Sequence, residues 1–206
     1  LYFVGTNLGF VTTSLSDPTA PSVLGSDSNV NGATAVAIVG DYAYAAGPDK
    51  LQIYDIGGTN AAAPVAKGSV ASLTSDNNPH VKDIEVMGSY AYVVTENNLL
   101  LVDVSDPSAP GQPSSNSIWA ETIDIYNGSL FVFSVEGNEI YDATSPPSLS
   151  PIGNMSTGPP NYEYLFGRGV LARHGYAYVS GDSRGFLAVD VNNVAEAYVK
   201  DSEPVG

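Results

Sequence analysis

The chain of 206 residues reads as an all-β protein assembled from repeated sheets. Three observations predict this. Short runs rich in Val, Ile, Tyr and Phe alternate with turns, and the chain holds 21 Gly and 14 Pro. No window carries the 3.6-residue apolar stripe of an amphipathic helix. One pattern, an aromatic strand followed by a strand that ends in Asp, recurs along almost the whole chain.

The stretch from Ile84 to Pro110 is the clearest copy. Ile84 and Val86 alternate up to a Gly88-Ser89 turn, and Tyr90-Ala-Tyr-Val-Val follows as a second strand. After the polar turn Glu96-Asn97-Asn98 comes Leu99-Leu-Leu-Val-Asp103, stopped by Asp106-Pro107. Aligned on the second aromatic of the middle strand, the copies place Phe3, Tyr44, Tyr92, Phe131 and Tyr178 at one position, spaced 41, 48, 39 and 47 residues apart. That period belongs to propeller blades. Eleven residues after the first four aromatics lie Ser14, Asp55, Asp103 and Asp142, and twelve after the last lies Asp190. Val36, Ile84, Ile123 and Val170 each stand six residues before the start of the aromatic strand.

Proline turns follow the third strand at Asp17-Pro18, Ala63-Pro64, Asp106-Pro107 and Pro146-Pro147, and lead into a fourth, edge strand. Candidates for it are Ser22-Val-Leu-Gly, Val65-Ala-Lys-Gly, Ile152-Gly-Asn and Ala197-Tyr-Val-Lys. The expected architecture is a β-propeller of five four-stranded antiparallel blades in one domain, residues 1–206. The blade motifs are approximately 1–28, 34–70, 81–115, 120–155 and 167–206. The first copy begins at its second strand. Its blade therefore lacks the inner strand, or the chain is part of a larger ring, or a neighbouring subunit donates the strand. The polar insertions Ala71 to Pro79 and Ser156 to Tyr162 are expected as surface loops.

These residues resemble the LVIVD-repeat family of β-propeller proteins. The naming strand appears as Leu100-Leu101-Val102-Asp103, and more loosely as Ile53-Tyr54-Asp55 and Ala188-Val189-Asp190. The Tyr-Ala-Tyr-Val strand before it and the Val-Ser-Asp-Pro-x-x-Pro turn after it match the family's flanks. The resemblance implies a propeller on a bacterial or archaeal surface and carries over no catalytic residues. The chain departs from the pattern at Ser14, at Ser129 and in lacking the proline turn after Asp190.

Composition narrows the function classes. Seven Lys and Arg against 22 Asp and Glu give a net charge of -15, which repels nucleic-acid phosphates and anionic lipid. Cations and basic proteins are the better partners. The absence of Cys removes thiol catalysis, thiolate metal sites and disulfides. No run reaches the roughly 18 apolar residues of a membrane span, so no membrane insertion is expected. The start inside a strand, without Met, suggests a mature or partial chain.

The recurring Asp55, Asp103, Asp142 and Asp190 are read as turn caps, because blade geometry accounts for a residue that returns at one offset. Asp27-Ser-Asn29-Val-Asn31-Gly32 matches the first half of a calcium loop, making Asp27, Asn29 and Asn31 the candidate metal ligands and calcium the candidate cofactor. The second half is missing, with Ala35 and Ile38 where acids would stand. Gly181-Asp-Ser183-Arg-Gly185 spells G-x-S-x-G but joins two strands, so it reads as a hairpin turn and not a nucleophile elbow. Asn127 and Asn154 head glycosylation sequons. Trp119, on the loop entering an inner strand, and His80, expected near the mouth of the central channel, are the candidate ligand contacts, whereas His174 sits in a turn. No catalytic residues are assigned.

The sequence thus points to a non-catalytic, extracellular or cell-surface propeller. It would act as a protein- or glycan-binding scaffold or as a surface-assembly module contacting itself or another protein. The alternatives are a subunit of a filament, sheath or surface layer, and a secreted hydrolase or lyase with its site at the channel mouth.

Overall fold

A computed structural model describes the chain apart from residues 6, 31, 49, 72, 74–79, 135–136, 156–166, 182–184 and 204–206. It divides into two compact units, Leu1–Ser117 and Ile118–Gly206. Unit one holds three sheets. The first is β1 (Tyr2–Gly5), β2 (Gly9–Ser14) and β3 (Ser22–Asp27). The second is β4 (Ala35–Val39), β5 (Tyr42–Ala46), β6 (Lys50–Asp55) and β7 (Val65–Ala71). The third is β8 (Val81–Met87), β9 (Tyr90–Thr95), β10 (Leu99–Asp103) and β11 (Ser114–Asn116). Unit two holds the fourth sheet, β12 (Thr122–Tyr126), β13 (Ser129–Phe133), β14 (Asn138–Asp142) and β15 (Ser150–Asn154). Its other sheet is β16 (Gly167–Arg173), β17 (Tyr176–Gly181), β18 (Phe186–Asp190) and β19 (Tyr198–Glu203). Each sheet is an antiparallel meander in chain order.

The turns follow from their residues. Asn127 and Gly128, with φ of 51° and 77°, join β12 to β13, and His174 and Gly175, with φ of 54° and 80°, join β16 to β17. Two successive left-handed residues suit the twist of a tight hairpin. The middle strands are apolar on nearly every residue because both of their faces are covered: Ala91 to Thr95 and Leu99 to Val102 are all buried. One cluster joins the first and second sheets through Phe10, Ala43 and Tyr54, with Tyr54 stacked on Phe10 at 4.5 Å. A second joins the second and third through Ile53, Leu51, Ile84 and Val102. In unit two, Phe131, Ile140, Val179 and Leu187 join the fourth and fifth. Each buried Val, Leu, Ile or Phe among these contributes about 1.5–3 kcal/mol by leaving water.

Among the described residues the first sheet has three strands where the others have four, and its inner strand is the one not seen. Three details depart from the sequence reading. β11 is a fourth strand made of Ser114-Ser-Asn116, with no apolar signal, held by its backbone against Leu99 to Leu101. The register equivalent of Tyr44, Tyr92 and Phe131 in the first sheet is Tyr2, not Phe3, because Tyr2 pairs with Thr12, two residues before the strand-ending Ser14. Leu73, inside the polar insertion after β7, is buried in the core of the second and third sheets.

A repeated junction ties neighbouring sheets. The outer strand bulges at one place, between the partners of Thr12 and Thr13, of Gln52 and Tyr54, of Ile140 and Tyr141, and of Ala188 and Val189. Gly25, Gly68 and Gly153 sit at three of these bulges, each against the turn that follows the third strand of the next sheet. A Cβ on Gly25 would lie 3.2 Å from the Ala62 carbonyl, and one on Gly68 2.8 Å from that of Pro107, while one on Gly153 would collide with that of Val194. The Gly68 amide donates to the Pro107 carbonyl at 2.8 Å. In β19 the matching register position, opposite Ala188, holds Asp201.

Candidate functional sites

The strand-ending aspartates act on their own turns. Each accepts a hydrogen bond from the backbone amide two residues on: Asp55 from Gly57 at 3.0 Å, Asp103 from Ser105 at 2.9 Å, Asp142 from Thr144 at 2.8 Å and Asp190 from Asn192 at 3.1 Å. Ser14 Oγ replaces the carboxylate in the first sheet and accepts from Ser16 at 3.2 Å. The Asn60 side chain, followed by the Gly57 amide, holds the Asp55 carboxyl below its ordinary value. The Ser105 and Thr144 side chains and amides do the same for Asp103 and Asp142. These groups are caps, as the repeat spacing implies.

The half calcium loop begins at the end of the third strand. Asp27 ends β3 and its Oδ1 accepts from the Asn29 amide at 2.8 Å, capping the 3-10 turn Ser28–Val30. Asn31 lies outside the described residues. Among the described residues no group of three or more His, Asp or Glu is placed to hold a metal. Asn127, in its hairpin turn, and Asn154, at the end of β15, are both exposed. Trp119 is 52 % exposed on the approach to β12, and His80 is exposed just before β8. β17 and β18 pair as a hairpin on either side of the G-x-S-x-G stretch, whose Ser183 lies outside the described residues.

Two polar clusters were not visible in the sequence reading. In unit two, Asp124 is 4 % exposed in the middle of Ile123-Asp-Ile125, and its Oδ1 accepts from the Ile125 amide at 2.8 Å. Its Oδ2 accepts from the Ala172 amide and pairs with the Arg173 guanidinium at 3.3 Å. This charged group clamps β12 to β16. An acid flanked by two Ile on an inner strand was the available signal, but its partner stands 49 residues away.

In unit one, a cleft of about 160 Å³ opens beside the first sheet, lined by Phe10, Thr12, Gly25, Asp27, Ala63 and Pro64. The buried Thr12 hydroxyl has no hydrogen-bond partner, and the buried Tyr54 hydroxyl faces the Asp27 carboxylate. Burial first, and then the neighbouring Asp27 carboxylate, push the Tyr54 hydroxyl far up from its ordinary value. The cleft therefore offers one carboxylate and an apolar wall of Phe10, Ala63 and Pro64, a combination suited to a small cationic or hydroxylated group.

The family model of the LVIVD repeat matches residues 32–72 and again residues 79–115. The chain carries LVIVD repeats. The two matched LVIVD stretches contain the second and third sheets entire except for the last residue of β11. Among curated proteins no sequence match is found. The chain is similar in structure to a putative 6-phosphogluconolactonase from Bacteroides fragilis, with 9 % identity and a TM-score of 0.74 over 100 % of this chain and 66 % of that one. It is also similar to Sqt1 from Saccharomyces cerevisiae, with 9 % identity and a TM-score of 0.66 over 100 % and 65 % of the two chains. A third likeness is to the WD40 domain of SCAP from fission yeast, with 13 % identity and a TM-score of 0.64 over 99 % and 49 %. At these identities the likeness establishes the fold, a β-propeller. The chain spans about half to two thirds of these structures' lengths. No helix among the described residues is long and apolar enough to cross a membrane.

Proposed function

We propose that the chain serves as one non-catalytic β-propeller domain, outside the cell or on its surface, that binds a basic protein partner. The observation that carries this reading is the combination of a net charge of -15 with carboxylates fixed on turns. Asp103 and Asp142 are held ionised at the ends of rigid strands, each by a hydroxyl and an amide of its own turn. Negative groups that do not reorganise on contact favour fast, oriented association with a cationic surface. The geometry that recurs from sheet to sheet supports this division of labour, with strands as frame and turns as contact surface.

The test is direct binding of immobilised chain to lysine-rich, neutral and acidic peptides and to a glycan array, across a series of salt concentrations. Binding of the lysine-rich peptide that weakens steadily with added salt supports the proposal. Salt-independent binding to a glycan replaces the protein partner with a sugar. The surface location is checked by mild proteolysis of intact source cells, which should remove the protein without lysis.

A surface-assembly role is the second reading, and the three-stranded first sheet favours it, since β1 pairs on one side only among the described residues. Molecular mass in solution separates assembly from monomer.

A further inference from the structure

We propose that the cleft between the first and second sheets is a binding site for a primary alkylammonium group, the head of a lysine side chain or of a small free amine. Its walls come from β2 and β3 on one side and from the Ala63-Pro64 turn that enters β7 on the other. Three observations set this junction apart from the others. Thr12 stands opposite Tyr2, and the matching positions, opposite Tyr44, Tyr92 and Phe131, hold Ile53, Leu101 and Ile140. Those three are apolar and exposed by no more than 1 %, whereas Thr12, equally buried, brings a hydroxyl without a hydrogen-bond partner. Asp27 stands opposite Phe10, where the second sheet sets the buried Val70 opposite Leu51. Tyr54 reaches from the second sheet to stack on Phe10, and its hydroxyl faces the Asp27 carboxylate.

The chemistry of this set selects the ligand. A carboxylate only accepts, the Thr12 hydroxyl accepts as readily as it donates, and no Lys, Arg or His side chain lines the cleft. Asp27 is in no ion pair among the described residues, and its Oδ1 accepts from the Asn29 amide at 2.8 Å. An ammonium group brings three donors and a positive charge to these acceptors, and its charge-assisted bond to the carboxylate is the strong contact. Phe10, Ala63 and Pro64 offer the apolar wall against which a methylene chain packs. The cleft, at about 160 Å³, suits a butyl chain and its nitrogen, and the exposed Ser26 and Ala63 leave its rim open to solvent. The lysine source rests on the basic protein partner proposed above, whereas the free amine does not.

The probe is n-butylammonium chloride, titrated into the intact chain at constant ionic strength and read by amide NMR shifts. The amides of Gly25, Asp27 and Ala63 should move together and saturate in the millimolar range. Butanol, which lacks the charge, and tetramethylammonium, which lacks the donors, should bind about tenfold more weakly. Asp27→Asn keeps an oxygen for the Asn29 amide and should weaken butylammonium binding about tenfold. Thr12→Val copies the apolar residue of the other sheets and should weaken it about fivefold with no fall in Tm. Nα-acetyl-lysine methylamide separates the two sources: if it matches butylammonium the cleft takes a lysine side chain, and if it fails where butylammonium binds the cleft takes a free amine. The proposal is overturned if butylammonium leaves those amides unmoved, if butanol or tetramethylammonium shifts them equally, if Asp27→Asn binds as tightly as the natural chain, or if calcium displaces the amine at lower concentration. The ligand series on the natural chain decides even where a variant fails to fold. The amine titration does not depend on salt-sensitive binding of the lysine-rich peptide, so either reading can fail alone.

Discussion

At the scale of single residues, the strand-ending aspartates trade solvent for the amides of their own turns, and this links the fold to pH. A carboxyl held below its ordinary value stabilises the folded state above the unfolded-state value, near pH ~4, and loses that contribution as pH falls through the folded value. Asp103 and Asp142 are in this position. A chain with Asp103→Asn and Asp142→Asn should therefore melt below the natural chain at pH 7, and the two melting curves should converge as pH is lowered towards 3. Comparing the pair removes the separate effect of discharging other acids. Asp124 is the stronger case for stability, because its removal leaves the buried Ala172 amide without an acceptor and Arg173 without its carboxylate. Asp124→Ala should cost about 2–3 kcal/mol in urea unfolding of the chain.

At the scale of elements, the bulge glycines are sites where backbone must meet backbone. Any side chain at Gly153 drives a Cβ into the Val194 carbonyl. Gly153→Val should destabilise by about 3 kcal/mol. The same change at Gly40, in a solvent-facing turn with nothing near its Cβ direction, tests turn strain alone, and measuring both by thermal unfolding separates the two effects. This junction was not legible in the sequence, although the strands that form it were. Spacing alone located the strands, because a residue that must end a strand and cap a turn can stand at only one offset. It failed at β11, where three polar residues pair through their backbone, a bond that leaves no trace in side-chain chemistry. It misplaced β1 by one residue because Tyr2 and Phe3 are both aromatic and only the partner strand chooses between them. The Asp124–Arg173 clamp stayed hidden for the same reason, since it exists only once β12 and β16 lie side by side.

At the scale of the whole molecule, a net charge of -15 on 206 residues sets surface carboxylates against one another. Screening that repulsion should raise Tm by a few degrees between 10 mM and 300 mM NaCl at neutral pH, as read by calorimetry. The same salt series should weaken any complex with a basic partner, so stability and binding should move in opposite directions. That opposition distinguishes an acidic contact surface from one merely kept soluble by its charge.

The glycine junctions also have a polarity. At Gly25, Gly68 and Gly153 the bare backbone belongs to the earlier sheet and the turn pressed against it belongs to the later one. A duplicated unit would bring a notch for its successor and a tongue for its predecessor. Such a chain can grow by copying without inventing a new fit, and it can grow in only one sense.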